Sequence, residues 1–240
     1  MYLIRILNIL HLLLFLEFSE CVDNTVSKNS DFDYLLYSQR WPITDCLEWR
    51  DKNETNECNM PKQRNSFLVH GLWPTKNGTS GPNYCKSNIT FDIRELDPLI
   101  DDLNEHWTNI ENGTDSYDFW SHEWQKHGTC ASILPQFGSV YDYFDISLDL
   151  NLLYDLSGVL SSMGIVPREE SYEIDDFISA LFYKFKSTTQ INCIIDSADR
   201  ALLSEIRICF DKSLQVIDCV PMGVNPKRMQ RKDFYILLKR

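Results

Sequence analysis

Three of the five histidines of the 240-residue chain fall in two short segments. These are Phe67-Leu68-Val69-His70-Gly71-Leu72-Trp73-Pro74 and Phe119-Trp120-Ser121-His122-Glu123-Trp124-Gln125-Lys126-His127-Gly128-Thr129-Cys130. In the first, strand alternation sets Leu68 and His70 on one face and Phe67 and Val69 on the other, and Gly71 permits close approach at the strand end. A single histidine there is more often a hydrogen-bonded structural residue than a reactive one. In the second, a helix from Trp120 to His127 sets His122 four residues from Lys126 and Glu123 four from His127, on adjoining rows of one face. In the open this would be an ordinary solvated face. Phe119, Trp120 and Trp124 instead predict partial burial, where the pKa values of the group depend on one another.

Several chemistries can be tested against this spacing. A zinc motif His-Glu-x-x-His needs histidines four apart, but Lys126 holds that place and His127 comes one residue later. A serine hydrolase would need a Gly-x-Ser-x-Gly elbow, and a cysteine protease a thiol that pairing into disulfides barely leaves. Imidazoles titrating near ~6.5 suit paired acid and base roles. Cleavage of RNA through the ribose 2′-hydroxyl asks for that pair. One neutral imidazole takes the 2′-hydroxyl proton, one imidazolium protonates the leaving 5′-oxygen, and cations hold the charge on the non-bridging oxygens. Lys126 and a protonated His122 fit the last role. DNA lacks the internal nucleophile and should not be cut; the expected partner is single-stranded RNA, with no metal and no cofactor.

The elements that must position these groups come in blocks. Asp33 to Arg40 reads as a strand, Trp41-Pro42 breaks it, and a polar loop from Cys46 to Pro61 leads to a strand at Ser66 to His70. A Gly-, Asn- and Pro-rich loop follows from Trp73 to Tyr84. Helices are predicted over Asp97 to Trp107, Tyr117 to His127, Val140 to Asp145, Leu150 to Met163 and Ile174 to Phe185. Strands return at Ile191 to Ile195, Leu203 to Phe210, Leu214 to Val220 and Phe234 to Leu238, with a hairpin across Asp211-Lys212-Ser213. Blocks without βαβ alternation predict an α+β fold, a mostly antiparallel central sheet flanked by helices. With 43% hydrophobic residues, no repeat and no linker, residues 22–240 are expected to form one domain.

Residues 1–21 read as a removed signal peptide, with Arg5 followed by an apolar run from Ile6 to Phe18 and small residues at Ser19 and Cys21. A retained signal anchor is the competing reading of the same run. Secretion, to the outside or to lysosomes, agrees with the cysteines: Cys46, Cys58, Cys85, Cys130, Cys193, Cys209 and Cys219 follow Cys21 and suit an oxidising compartment. Sequons at Asn53, Asn77, Asn88 and Asn112 would carry glycans on surface loops. No stable membrane association is expected once the signal segment is gone. Its removal takes away Arg5, Glu17 and Glu20, so the net charge moves from −12 to −11. Such a chain lacks the broad basic surface of a nucleic-acid-binding module, and any RNA must be met by a few local cations.

The segments His70-Gly71-Leu72-Trp73-Pro74 and His122-Glu123-Trp124-Gln125-Lys126-His127-Gly128-Thr129-Cys130 resemble, in order and separation, the two active-site segments of the ribonuclease T2 family. The likeness extends more loosely from Gln39-Arg40-Trp41-Pro42 to Ile208-Cys209-Phe210 and Cys219. It implies an antiparallel α+β fold, His127 as general base, His70 as general acid, Glu123 and Lys126 as stabilisers of the pentacoordinate phosphate, and His122 as a phosphate ligand. Trp73 is implied as a base-stacking platform, with core packing its even alternative, and Gln39 and Phe119 lie near a second nucleotide subsite. Stacking tolerates many bases and favours broad specificity. Thr75 stands where many members have aspartate, so no base preference is carried over. The resemblance also implies disulfides Cys46–Cys58, Cys85–Cys130 and Cys209–Cys219, leaving Cys193 as the odd cysteine. The rival class is a secreted glycoprotein acting through glycans or receptor binding, with ribonuclease activity secondary.

Overall fold

A computed structural model of the chain describes residues 31–79, 81–86, 88–220 and 233–236; the expected signal segment lies outside them. The elements are β1 (Tyr34–Arg40), α1 (Pro42–Lys52), β2 (Leu68–Thr75), α2 (Ile100–His106), α3 (Ser116–Glu123), α4 (Val140–Leu153), α5 (Leu156–Ser162), β3 (Tyr172–Glu173), α6 (Ile174–Phe185), β4 (Gln190–Ile195), β5 (Ala201–Phe210), β6 (Val216–Ile217) and β7 (Asp233–Phe234). An antiparallel sheet runs β2-β1-β5-β4, with β6 paired to β5, and β3 and β7 form a small second sheet.

The pairing of β1 with β5 sorts the sheet into two faces. Leu35↔Phe210, Tyr37↔Ile208 and Gln39↔Ile206 form one; Leu36↔Cys209, Ser38↔Arg207 and Arg40↔Glu205 form the other. The first face is buried in the main core against α4, where Tyr143, Phe144 and Leu148 meet Trp107 and Trp120. The Tyr37 hydroxyl crosses to α4 and donates to the Ser147 carbonyl at 2.8 Å. The second face holds a small cluster of Tyr34, Leu36, Cys209 and Cys219, with Trp73 packed on it, and then turns polar.

Several boundaries differ from the sequence expectation. The polar stretch after Trp41-Pro42 is a helix, not a loop. Pro42 stands in its first turn, where a missing N–H removes no hydrogen bond, and Thr44 Oγ1 donates to the Leu203 carbonyl at 2.7 Å. β2 continues past His70 to Thr75, because an edge strand tolerates Pro74. The two helices expected between Val140 and Met163 break at Tyr154 rather than after Asp145. A capping box at Ser139 and Asp142 starts α4, and the Asp155 side chain, accepting from Gly158 N, starts α5. Residues expected as a strand over Leu214 to Val220 form only β6, since the Asp211 carboxylate gathers the Ser213 and Gln215 amides into a wider turn. The terminal strand is two residues long, and positions 237–238 lie outside the described residues.

Cys46–Cys58, Cys85–Cys130 and Cys209–Cys219 are disulfides, and Cys193 is buried outside them. Asn53, Asn77, Asn88 and Asn112 are all exposed. Among the described residues no helix is long and apolar enough to cross a membrane.

Candidate active site

His70 sits on an irregularity of the sheet. β1 and β2 pair from Tyr34↔Thr75 to Ser38↔Gly71 and resume at Gln39↔Val69, so His70 is an extra residue with no partner position on β1. Such a bulge re-aims a side chain. Strict alternation would part His70 from Trp73, yet their rings meet edge-on with centroids 5.0 Å apart. The backbone of the bulge is fixed from α2's end, where Trp107 Nε1 donates to the His70 carbonyl at 3.2 Å.

Gly71 next to it has a steric reason. A Cβ there would run into both Trp73 Nε1 and Glu123 Oε2, the two atoms of a 2.9 Å hydrogen bond joining β2 to α3. Gly71→Ala is therefore expected to part that pair and, for the RNA cleavage expected from the sequence, to slow turnover by up to about a hundredfold, the order of loss when an aligned group is displaced by an ångström. Cleavage rates beside a thermal melt check this; an unchanged rate would make the bond dispensable.

The second segment leaves regular geometry as well. α3 opens on Asp115, whose carboxylate accepts from Tyr117 N at 2.8 Å, and keeps α form to Glu123. Trp124–Gly128 is then a π turn, closed by Thr129 N–H donating to the Trp124 carbonyl. A π turn holds an extra residue and is common at functional sites. It changes the single face expected from four-residue spacing. Glu123 and His127 are buried, at 2% and 7% exposure, whereas His122 is exposed and Lys126 half-buried. The Gly128 position lies against the Trp124 ring, which a Cβ would strike. Tyr84 N–H donates to the Lys126 carbonyl at 2.9 Å, beside the Cys85–Cys130 bridge, so the preceding loop holds the turn from outside.

Trp73 meets the second imidazole as well, its ring 5.3 Å from that of His127 and tilted by 34°. The surroundings of the two histidines are opposite in kind. His70 Nδ1 pairs with Glu205 Oε1, and a carboxylate can only accept, so the proton is on Nδ1. Glu205 is 8% exposed, and its other oxygen accepts from Arg207 Nη2 at 2.7 Å and Nε at 3.0 Å. Burial disfavours the charged imidazole, but the Glu205 charge and hydrogen bond outweigh it, and the His70 pKa rises above 6.5. His127 has no carboxylate on its buried Nδ1, which lacks a hydrogen-bond partner among the described residues. Burial, then the positive charges of Lys126, His122 and His70, bring its pKa down to about 3. Burial raises the Glu123 carboxyl, against the pull of His70, Trp73 Nε1, His122 and Lys126.

The two imidazoles that meet Trp73 thus differ in kind, one paired with a buried carboxylate and held above the ordinary imidazole pKa, the other without one and held below it. The Ribonuclease T2 family model matches residues 32–219. The chain belongs to the ribonuclease T2 family. Ribonuclease Oy of Magallana gigas is 33% identical over 207 residues, covering 85% of this chain and 94% of that protein. Extracellular ribonuclease LE of Solanum lycopersicum is 32% identical over 214 residues, 86% of this chain and 88% of that one. Among solved structures, RNase NT in complex with 5′-AMP superposes with a TM-score of 0.72 at 26% identity, over 86% of this chain and 98% of that chain. The chain is an endoribonuclease of ribonuclease T2 type, with that family's fold.

Within this ribonuclease, His70, Trp73, Glu123 and His127 come together, with Lys126 and His122 at the rim. Phe119 is half-buried beneath the Arg40 guanidinium, 4.9 Å from its ring centre. Gln39 does not join them. It points to the core face at 1% exposure, its Nε2 donating to the Tyr154 carbonyl and its Oε1 accepting from Asn151 Nδ2, both at 3.0 Å. Arg40, one residue on, occupies the polar face, braced by Asp45 at 2.7 Å and the Thr108 carbonyl at 2.7 Å. Sequence reasoning missed Arg40, Glu205 and Arg207. A signal existed: Glu205 and Arg207 are two apart, on one face of an otherwise apolar strand, where charge is unusual.

Proposed function

We propose that this site cleaves single-stranded RNA, His127 taking the 2′-hydroxyl proton and His70 protonating the leaving 5′-oxygen. The observation carrying this assignment is the contrast between the two imidazoles that meet Trp73: His70 Nδ1 rests on the Glu205 carboxylate, whereas the buried His127 Nδ1 has no hydrogen-bond partner among the described residues. The attacking oxygen closes on the adjacent phosphorus as the 5′-oxygen departs, giving a 2′,3′-cyclic phosphate and a free 5′-hydroxyl. Lys126 and Glu123 flank the pentacoordinate phosphate, and exposed His122, when protonated, binds a non-bridging oxygen. Trp73 offers a ring for one base, and Phe119 with Arg40 the edge of a second subsite. In a chain of net charge −12 these few cations are the local anchor for RNA, which favours catalysis over sequestration. Three disulfides and four exposed sequons support work in an oxidising compartment, outside the cell or in lysosomes.

The test is cleavage of RNA with excess EDTA across pH. His127 must be neutral, which its depressed pKa allows above about 3, and His70 must be protonated, which its raised pKa allows beyond the ordinary imidazole limit of 6.5. A bell-shaped profile with its optimum on the acidic side is expected, its limbs belonging to the coupled pair. Loss of activity under EDTA, or an optimum above about pH 8, would remove the assignment.

A further inference from the structure

We infer that Glu205, braced by Arg207, is a positioning residue for the general acid, holding His70 by Nδ1 so that Nε2 is the atom turned to the scissile phosphate. This rests on the reading of His70 as the acid. Glu205 and Arg207 lie on β5, two strands away from β2, with β1 between them. Adjacent strands are separated by about 4.8 Å, so a contact from β2 to β5 must pass over β1. The bulge at His70 and the short Ser38 side chain, placed between Gly71 and Arg207, leave that path open.

The sheet does not need this contact to cohere. β1 is hydrogen-bonded to β2 on one side and to β5 on the other along its length. A buried carboxylate with two arginine bonds on one oxygen and an imidazole on the other is a costly arrangement for packing alone. It is a suitable one for fixing a tautomer, since the group on one ring nitrogen decides what the other presents. The contrast with His127 is informative: the imidazole that must accept a proton has no carboxylate behind it.

The other charges facing His70 are Glu123 and His127, from α3 and the π turn, and Arg40 from β1. Arg40 opposes its protonation and Glu123 favours it, while His127 is neutral where His70 titrates. Glu205 is the one in direct contact.

Glu205→Gln removes the charge and keeps the shape. On RNA its kcat is expected to fall by about tenfold or more while KM stays within about twofold. The alkaline limb should move to lower pH, because an imidazolium without its carboxylate loses its proton sooner. On uridine 3′-(4-nitrophenyl phosphate), whose aryl oxide leaves without needing a proton, the loss should be confined to about threefold, which also reports an intact site. Equal losses on both substrates with an unmoved alkaline limb would make Glu205 merely structural and overturn the inference. If the variant does not fold, the wild-type protein decides by nitrogen-15 NMR of His70. Neutral His70 protonated on Nδ1, with a midpoint above 6.5, supports the inference. The Nε2–H tautomer overturns it. The underlying reading fails separately: a folded His70→Ala that still cleaves RNA at the wild-type rate would remove the acid, whatever Glu205 does.

Discussion

His70→Ala and His127→Ala are each expected to lower the RNA cleavage rate by at least about a hundredfold, with 10⁴-fold the upper range for a general acid or base. That corresponds to about 3 to 5 kcal/mol of transition-state stabilisation each. Neither loss should require unfolding. In His70→Ala, Glu205 keeps its two bonds from Arg207 and is not left as an unpaired buried charge. In His127→Ala, the removed ring had no Nδ1 partner among the described residues, so no buried bond is broken there. Because proton removal and proton donation belong to one displacement, the double variant should be little slower than either single one. Initial rates on RNA, with near-ultraviolet circular dichroism and disulfide mapping to establish folding, make the measurement. A folded single variant keeping more than about a tenth of the activity would be incompatible with its assigned role.

A larger effect is expected from the substrate. Placing a single 2′-O-methyl or 2′-deoxy nucleotide in an RNA should abolish cutting at the bond following it and leave neighbouring bonds sensitive, because the attacking oxygen belongs to the substrate itself. DNA should be inert for the same reason. The first products should carry a 2′,3′-cyclic phosphate and a 5′-hydroxyl, with the cyclic ester later opened to a 3′-phosphate. Mass spectrometry of the fragments distinguishes these ends. Cleavage at the methylated position, or ends bearing a 5′-phosphate, would mean that water attacks directly and that the two imidazoles have other work.

Much of this molecule is legible in its amino-acid sequence. The two histidine segments stand out by residue type, and β1, β5 and the whole of α6 follow from local pattern, because both strands are buried along nearly their whole length and the buried residues of α6 recur at helical spacing. The failures share a physical cause. α1 reads as a loop because four of its six residues after Cys46 are charged and polar residues continue beyond it, while Ile43 and Thr44 at its start, with Trp41 before them, are buried in the core. The family resemblance points to Gln39 where the structure puts its neighbour Arg40, because in this chain the Gln39 side chain takes the core face of β1. Glu205 lies 135 residues from His70 in the chain and reaches it, with Arg207 behind it, only through strand order, which no local pattern encodes. α-Helical spacing groups His122 and Lys126 with Glu123 and His127, and the π turn separates them by burial.

Both imidazoles beside Trp73 thus occupy places where the chain carries one residue more than regular geometry requires, His70 on the bulge and His127 within the π turn. The site is therefore written in chain length as well as in side chains. Deleting one residue between Val69 and Leu72 would close the bulge and exchange the faces of everything on one side of it. Deleting one between Trp124 and Gly128 would rotate α3 by about 100° against the Cys130 anchor. The loops around Asn53, Asn77 and Asn112 are exposed and join elements without setting the phase of either histidine, so a change of length there leaves the site in register. Viable descendants of this sequence should accordingly vary by insertion and deletion in those loops, while the two histidine segments are inherited as blocks of fixed length.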